Sequence, residues 1–173
     1  MYASYDSIEN RPTLRFERRI AHPVEAVWSA ISEPAKLAGW FPTAVSGEMR
    51  AQGHLNFSFE EHDLPPMEGE VTEFDPPRVL AFGWGEDHLR FELTPAEGGA
   101  QTDMRFTVRL GGEDKAARDG AGWHVTLDAL EVALDGGDKD AIDGVKDGWR
   151  QHYDEYERRG FPATAPIPDG VKS

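Results

Sequence analysis

The sequence contains no cysteine among its 173 residues. A disulfide framework, a thiol nucleophile and a thiolate metal site are therefore excluded. Basic residues are also scarce, because 18 Lys and Arg stand against 32 Asp and Glu and give a formal net charge of −14. Such a surface repels nucleic-acid phosphates and anionic membranes, so we expect no nucleic-acid partner. The acidity itself is typical of a well-solvated surface.

Long apolar runs are missing as well. No stretch of the sequence approaches the ~20 consecutive apolar residues of a membrane-spanning helix, so we expect no membrane insertion. Residues 1–12 are polar, lack the apolar core of a signal peptide and are interpreted as a loose leader. The simplest expectation is a cytoplasmic protein.

Recognisable catalytic motifs are absent from the sequence. It has no G-x-S-x-G elbow, and its six histidines lack the H-E-x-x-H spacing, so neither a metal nor another cofactor is predicted. His124 and Asp128 stand four apart on a predicted helix, and Glu68 and Glu70 share one face of a predicted strand. Ordinary surface pairs explain both arrangements better than catalysis does. The residues alone predict no enzyme.

Aromatic and periodic apolar residues are abundant by comparison. Aromatic residues make up 10% of the chain, which allows a large interior or a lined cavity. A long helix is predicted over 114–134, with Asp128 and Glu131 on its polar flank. Its apolar stripe, at spacings of four, three and four, consists of Trp123, Leu127, Leu130 and Leu134.

The segment before this helix predicts an antiparallel sheet. Alternation from Thr13 to Ile20 indicates a first strand, two short helices follow, and six further short strands separated by turns bring the total to about seven. Arg18 shares parity with the apolar residues of the first strand. A charge at a sheet edge with its head in water is the favoured interpretation, and a charge buried in a cavity is the alternative. This order of elements predicts an α+β fold.

The C-terminal part is predicted to extend beyond the main domain, which we place at residues 13–135. A further amphipathic helix is expected over 138–160, and a proline-rich, extended or disordered tail over 161–173. Trp149, Tyr153 and Tyr156 form one stripe of this helix, which is expected to be exposed.

Several short motifs resemble a known family in their order along the chain. They are Trp40-Phe41-Pro42, Gly53 followed by alternating aromatics, Glu68-Gly69-Glu70-Val71, Pro76-Pro77-Arg78-Val79-Leu80 and Gly122-Trp123. This order resembles START-like (SRPBCC, birch-pollen-allergen-type) domains, and among them the branch named after the activator of the 90-kilodalton heat-shock-protein ATPase. The resemblance implies a helix-grip fold, in which a curved antiparallel sheet wraps around the long C-terminal helix. It also implies a cavity between them that often holds a hydrophobic molecule.

The resemblance therefore favours a module that binds an apolar small molecule without catalysis. The expected lining residues are Trp40, Phe57, Phe59, Phe82, Trp84, Phe91, Met104, Trp123, Leu127 and Leu130. One alternative is an enzyme of the cyclase or dehydrase kind, with Arg18, Glu70 or His124 as its ionisable group. Another is a protein-interaction module, either a co-chaperone-like ATPase activator or a homodimer that uses the stripe of the C-terminal helix.

Overall fold

The computed structural model describes residues 1–59 and 63–167. In chain order its strands are β1 (Ser4–Ile8), β2 (Arg11–Ile20), β3 (Ala44–Gly47), β4 (His54–Ser58), β5 (Met67–Asp75), β6 (Val79–Trp84), β7 (Asp87–Ala96) and β8 (Gln101–Arg109). Its helices are α1 (Val24–Ser32), α2 (Pro34–Leu37), α3 (Ala116–Leu134), α4 (Lys139–Lys146) and α5 (Trp149–Arg158). The strands form one antiparallel sheet of eight in the order β1-β2-β8-β7-β6-β5-β4-β3.

Apolar side chains on alternate positions of the strands give the sheet its inner face. Register places Phe106 of β8 opposite both Phe16 of β2 and Phe91 of β7, with ring centroids 5.9 Å and 4.4 Å away. α3 lies against this face, and its Trp123 meets the Phe106 ring edge-on at 5.2 Å. The predicted α+β helix-grip fold is confirmed.

The long helix α3 is buried on more than one side. Trp123, His124 and Leu127 are all nearly inaccessible, because the sheet covers one face and α4 and α5 pack against another. The helix ends before Gly136, whose φ of 80° only glycine adopts at little cost. Among the helices of the described ranges, none combines the length and the hydropathy needed to cross a bilayer.

The N-terminal segment departs from its predicted role. Residues Ser4–Ile8 form β1 and pair with β2, so the interpretation of residues 1–12 as a loose leader is wrong. The sheet consequently has eight strands where about seven were predicted. The connecting turn places Glu9 and Asn10 at φ 50° and 62°, the backbone of a tight two-residue hairpin. Glu-Asn lacks the glycine that marks such a turn in a sequence, so the hairpin gave little local signal.

The single helix predicted over 138–160 is two helices in the structure. Asp138 caps α4, its carboxylate accepting a hydrogen bond from the Ala141 N–H at 3.0 Å. The chain then breaks at Asp147 and Gly148 before α5 begins. Glycine is a poor helix former, which explains the position of the break.

Part of the predicted tail packs on the main domain. The N–H of Ala117 donates to the carbonyl of Pro162 at 2.9 Å, and that of Ala165 donates to the carbonyl of Asp114 at 3.0 Å. Residues 161–167 are therefore held against the start of α3, whereas 168–173 lie outside the described residues. The domain boundaries at 13–135 and 138–160 stay a prediction.

Candidate functional site

Nine of the ten residues predicted to line an apolar cavity belong to one hydrophobic core or pack against it, and Phe59 lies at its margin, 6.3 Å from Trp84. Those that are buried are Trp40, Phe57, Phe82, Phe91, Met104, Trp123, Leu127 and Leu130, while Phe59 and Trp84 are partly exposed. Phe57 stacks on Phe82 at 5.9 Å and meets Trp84 at 4.9 Å, distances typical of rings in contact. These rings occupy much of the interior, so a ligand that enters it must displace side chains.

An open cleft of about 490 Å³ lies beside this interior. It is bounded by the segment after α2, the end of β4, and α4, and its large apolar walls are Phe41, Phe59 and Ile142. Phe59 belongs to the predicted lining set. Phe41 was missed as a lining residue, although it stands in the Trp40-Phe41-Pro42 motif; its ring lies 5.2 Å from Trp84 and 5.8 Å from Trp123.

Thr43 is a polar residue in the wall of this cleft. The residue is 5% exposed, it borders the cleft, and its hydroxyl has no hydrogen-bond partner within residues 1–59 and 63–167. A buried hydroxyl without a partner costs about 1–3 kcal/mol. The cleft thus combines apolar walls with polar side chains, which are Thr43, Ser58, Lys139, Asp143 and Lys146.

A second cleft of the same volume, about 490 Å³, is of a different character. Met104 of the predicted set borders it, but its walls are mainly charged, including Glu17, Arg19, Asp103 and Arg105. Ion pairs such as Arg19 with Asp103, at 2.8 Å, hold several of these charges in place. Such walls suit an apolar molecule poorly, because burying the charges would cost free energy.

A cluster of polar side chains lies where α3 meets α5 and the N-terminal segment. We call it the histidine cluster and define it by His124, Asp128, His152, Tyr2 and Tyr156. The two imidazole rings stack with centroids 3.8 Å apart and planes 20° apart. His124 Nδ1 lies 3.0 Å from the Tyr156 hydroxyl, and His152 Nδ1 lies 3.2 Å from the Tyr2 hydroxyl. Both Nε2 atoms lie 3.9 Å from Asp128 Oδ2, which is too long for a hydrogen bond.

Burial controls the ionisation of this cluster. Together with the neighbouring His152, it lowers the pKa of His124 to about 3, against the opposing effect of Asp128. Burial also lowers the pKa of His152 and raises the pKa of Tyr156 to about 12. At neutral pH the cluster therefore holds two uncharged imidazoles and a protonated Tyr156 hydroxyl.

Arg18 joins the histidine cluster from the sheet. Its side chain is only 10% exposed, and Nη1 donates to Asp128 Oδ1 at 2.7 Å and to Glu131 Oε1 at 2.9 Å. The favoured interpretation of Arg18 as an edge charge with its head in water is wrong. Of the residues nominated for an enzyme, Arg18 and His124 come together here, whereas Glu70 is exposed on β5.

The stripe predicted to be an interaction surface is buried within the chain. Tyr153 and Tyr156 are 4% and 0% exposed, and Trp149 is partly exposed, so the prediction of an exposed stripe is wrong. The stripe packs on α3 instead. His152 was missed as a site residue, although it lies three after Trp149 and four before Tyr156 and therefore shares their face of α5.

One family model matches the sequence. It is described as activator of Hsp90 ATPase homolog 1-like protein, and it matches residues 21–135. The matched segment is about two thirds of the chain. It begins after β2 and ends before α4 and α5, so Tyr2, Arg18 and His152 lie outside it. No curated protein matches the chain.

Solved structures of the same fold include CalU16 from Micromonospora echinospora. Its crystal structure has a TM-score of 0.63 and 22% identity, and the alignment covers 87% of this chain and 95% of CalU16. A conserved protein of unknown function, EF2215 from Enterococcus faecalis, has a TM-score of 0.69 and 19% identity over 91% of each chain. The solution structure of the Aha1 dimer from Colwellia psychrerythraea has a TM-score of 0.57 and 19% identity, over 70% of this chain and 95% of that one.

Proposed function

The chain belongs to the family described as activator of Hsp90 ATPase homolog 1-like proteins, and from this premise we propose that it is a binding module for a small, mostly apolar molecule. The cleft beside α4 is the entrance, and Thr43 binds the hydrogen-bonding group of the ligand. The apolar part of the ligand extends toward the interior. The residues of the interior wall are Trp40, Phe57, Phe59, Phe82, Trp84, Phe91, Met104, Trp123, Leu127 and Leu130. Catalysis is not part of the proposal.

The observation that carries the proposal is the continuity between the cleft and the buried aromatic rings. Phe41 and Phe59 border the cleft, and both also contact Trp84, at 5.2 Å and 6.3 Å. Rotation of the Phe41 side chain would open the cleft toward these buried rings. The cleft volume of about 490 Å³ lies within the range of ~300–1,000 Å³ that is usual for small-molecule sites.

The test measures uptake of an apolar fluorophore, N-phenyl-1-naphthylamine, by the purified chain. Ile142→Trp places a large ring in the cleft, and Leu127→Trp fills the space between α3 and the sheet. Ala141→Trp is the matched control, because Ala141 is the exposed neighbour of Ile142 on α4 and does not border the cleft. We expect saturable uptake by the wild type and by Ala141→Trp, and loss of uptake in the other two.

Different outcomes would correct the proposal in different ways. Loss of uptake in Ile142→Trp alone would restrict the site to the cleft and remove the interior residues from it. Unchanged uptake in both variants would contradict the proposal. Overpacking at Leu127 costs about 1–3 kcal/mol, so circular dichroism and thermal melting must show a folded chain, and Leu127→Phe is the milder replacement.

The hydroxyl of Thr43 gives a second, finer test. Thr43→Val keeps the shape of the side chain and removes the hydrogen-bonding group. We expect affinity for a long-chain alcohol probe to fall by roughly 3–10-fold, which corresponds to one uncharged hydrogen bond. Affinity for the corresponding alkane should stay unchanged, and equal losses for both probes would exclude a role for the hydroxyl.

The positions of the nominated ionisable residues disfavour the cyclase or dehydrase alternative. His124 belongs to the histidine cluster and Arg18 contacts it, this cluster shares no residue with the cleft, and Glu70 is exposed on β5. Variants of all three residues that lose turnover of a cyclisable substrate, but not its binding, would favour the enzyme.

We also propose a cytoplasmic location, and we consider self-association. A relative of this fold, Aha1 from Colwellia psychrerythraea, is a dimer. A homodimer of this chain must use a surface other than Tyr153 and Tyr156, because α3 already covers these residues. Sedimentation at high protein concentration tests the dimer, and a monomer there would exclude it.

A further inference from the structure

We propose that His124, Asp128 and His152 form a binding site for a divalent transition-metal ion, with Zn²⁺ as the best-fitting ion. One ligand atom from each of the three residues lies within 4.8 Å of the other two, and both imidazole Nε2 atoms lie 3.9 Å from Asp128 Oδ2. His124 and Asp128 belong to α3 and His152 belongs to α5, so the spacing of these residues in the sequence does not indicate a site. None of them borders the cleft of the proposed function.

The donor set suits this class of ion. Imidazole nitrogen binds Zn²⁺, Ni²⁺, Cu²⁺ and Fe²⁺ well, and a carboxylate completes many such sites, whereas Mg²⁺ and Ca²⁺ prefer oxygen alone. A metal ion binds the neutral form of each imidazole.

The tyrosine hydroxyls orient the two histidines as metal ligands are usually oriented. In the tautomer with the proton on Nδ1, His124 donates to the Tyr156 hydroxyl oxygen at 3.0 Å and His152 donates to that of Tyr2 at 3.2 Å. Each ring then carries its lone pair on Nε2, which lies 3.9 Å from Asp128 Oδ2. Metal-binding histidines almost always have such a partner on the other ring nitrogen.

The distances require a small closure around the ion. Both Nε2 atoms lie 3.9 Å from Asp128 Oδ2. Ligands of a tetrahedral Zn²⁺ with bonds of about 2.0–2.1 Å lie roughly 3.3–3.4 Å apart. The rings must also leave their parallel stack, because both lone pairs have to converge on one point. The side chains of His152 and Asp128 are 19% and 29% exposed, so they have room to move and leave an access path for the ion.

The surrounding charges leave one carboxylate oxygen for the ion. Arg18 Nη1 binds Asp128 Oδ1 at 2.7 Å, which leaves Oδ2 facing the two rings. Glu131 also contacts Arg18, at 2.9 Å, so the negative charge of Glu131 offsets the positive charge of the guanidinium. Three protein ligands leave the fourth tetrahedral position to water or to a small anion, as in zinc sites that bind ligands.

The experiment titrates the full, untagged chain with Zn²⁺ after treatment with a chelator, in an isothermal calorimeter. A parallel titration uses Co²⁺, whose visible absorption reports its ligand geometry. We expect one saturable equivalent per chain for both ions and a higher Tm with Zn²⁺. In the wild-type chain, the ring nitrogen resonances of two of the six histidines should shift on Zn²⁺ addition.

The variants are chosen to keep the fold. His152→Gln and Asp128→Asn keep side-chain size, and each should weaken Zn²⁺ binding by about 100-fold or more, because a ligand is lost. Tyr2→Phe removes only the partner of His152 and should weaken binding by about 10-fold. His22→Gln is the matched control, since His22 forms a surface pair with Asp135 at 2.7 Å. It should leave Zn²⁺ binding unchanged.

The results distinguish a specific site from surface binding. Absence of a saturable equivalent in the wild type would overturn the proposal. So would equal affinities of the wild type, His152→Gln and Asp128→Asn, or a loss in His22→Gln as large as in His152→Gln. If the ligand variants fail to fold, the two shifted histidines in the wild-type spectrum decide, and shifts confined to His22 and His54 would contradict the site.

Discussion

The two sides of α3 are built on different principles. Trp123, Leu127 and Leu130 point toward the sheet and pack among aromatic rings. The side that faces α5 carries His124 and Asp128, whose contacts are hydrogen bonds, ion pairs and stacked rings. Both sides are largely excluded from water, but one is held by apolar contact and the other by directional polar groups.

This difference follows the boundary of the family match in part. Most of the apolar side lies within residues 21–135, which contain the strands β3 to β8 and α3, while β2 contributes Phe16 from outside that range. The polar side is completed by Tyr2, Arg18 and His152, which all lie outside that range. We infer that the apolar side provides most of the stability and the proposed ligand interior, and that the polar side provides the proposed metal site.

The largest loss of stability is expected when a buried side chain on the apolar side of α3 is truncated. Phe106→Ala removes a fully buried ring that contacts Phe91 at 4.4 Å and Trp123 at 5.2 Å. The loss of apolar burial and the cavity left behind should lower the free energy of unfolding by about 3–5 kcal/mol. Urea denaturation measures this loss.

Thr107→Ala is the control for Phe106→Ala, because Thr107 is the next residue of β8 and points to the opposite face of the sheet. We expect it to change the free energy of unfolding by about 0.5 kcal/mol or less. A cost of Phe106→Ala no larger than that of Thr107→Ala would contradict the view that the apolar side stabilises the fold.

The apolar side was predictable from the sequence because its signal is periodic. Alternation such as Leu80, Phe82 and Trp84 indicates a strand, and the stripe containing Trp123 and Leu127 indicates the face of a helix. Val79–Trp84 is found where the pattern places it. The prediction of a loose leader over residues 1–12 was wrong because pairing with β2 stabilises a polar strand, and the turn at Glu9 and Asn10 carries no glycine.

The histidine cluster was not predictable in the same way. His124 and Asp128 were recognisable as a pair four residues apart, but the second ring comes from α5 and Tyr2 comes from the chain start. Their meeting depends on how α5 docks on α3, which no local spacing encodes. The spacing predicts the amphipathic stripe of α5, but the prediction that this stripe is exposed was wrong, because spacing alone does not show that it packs against α3.

An intermediate effect is expected from Arg18 on the polar side. Arg18→Met removes the charge that pairs with Asp128 and Glu131, and leaves two carboxylates close together. A fully buried pair would cost 3–5 kcal/mol when broken. Because Asp128 and Glu131 are 29% and 38% exposed, solvent screens them and we expect about 1–2 kcal/mol, measured by urea denaturation with a chelator present.

A double-mutant cycle with Asp128→Asn isolates the pair itself. We expect the two substitutions together to cost less than the sum of the single costs, because the second removes one of the unpaired charges left by the first. Additive costs would show that Arg18 acts through packing of its stem. If Arg18→Met lowered the free energy of unfolding more than Phe106→Ala does, the polar side of α3 would contribute more to stability than the apolar side.

The smallest expected effect concerns His88, a histidine that belongs to neither side of α3. Its Nε2 lies 2.8 Å from the Thr72 hydroxyl. Partial burial lowers the pKa of His88. The positive charges of Arg109, Arg11 and Arg90 act in the same direction, and the negative charge of Glu73 opposes them. Above the unfolded pKa of about 6.5 the ring is neutral in both states and contributes no pH dependence. Below about pH 6.5 the unfolded chain takes up a proton more readily than the folded chain, so the free energy of unfolding decreases as the pH falls.

His88→Gln keeps a hydrogen-bonding group near Thr72 and removes this titration. We expect the variant to lose less stability than the wild type between about pH 7 and pH 5.5, by less than about 0.5 kcal/mol, since solvent screens the half-exposed ring. Urea denaturation at both pH values, without metal, measures the difference. An unchanged pH dependence would show that His88 does not titrate differently on folding. In that case the acid sensitivity of the protein must come from other groups, and the histidine cluster on the polar side of α3 becomes the first place to look.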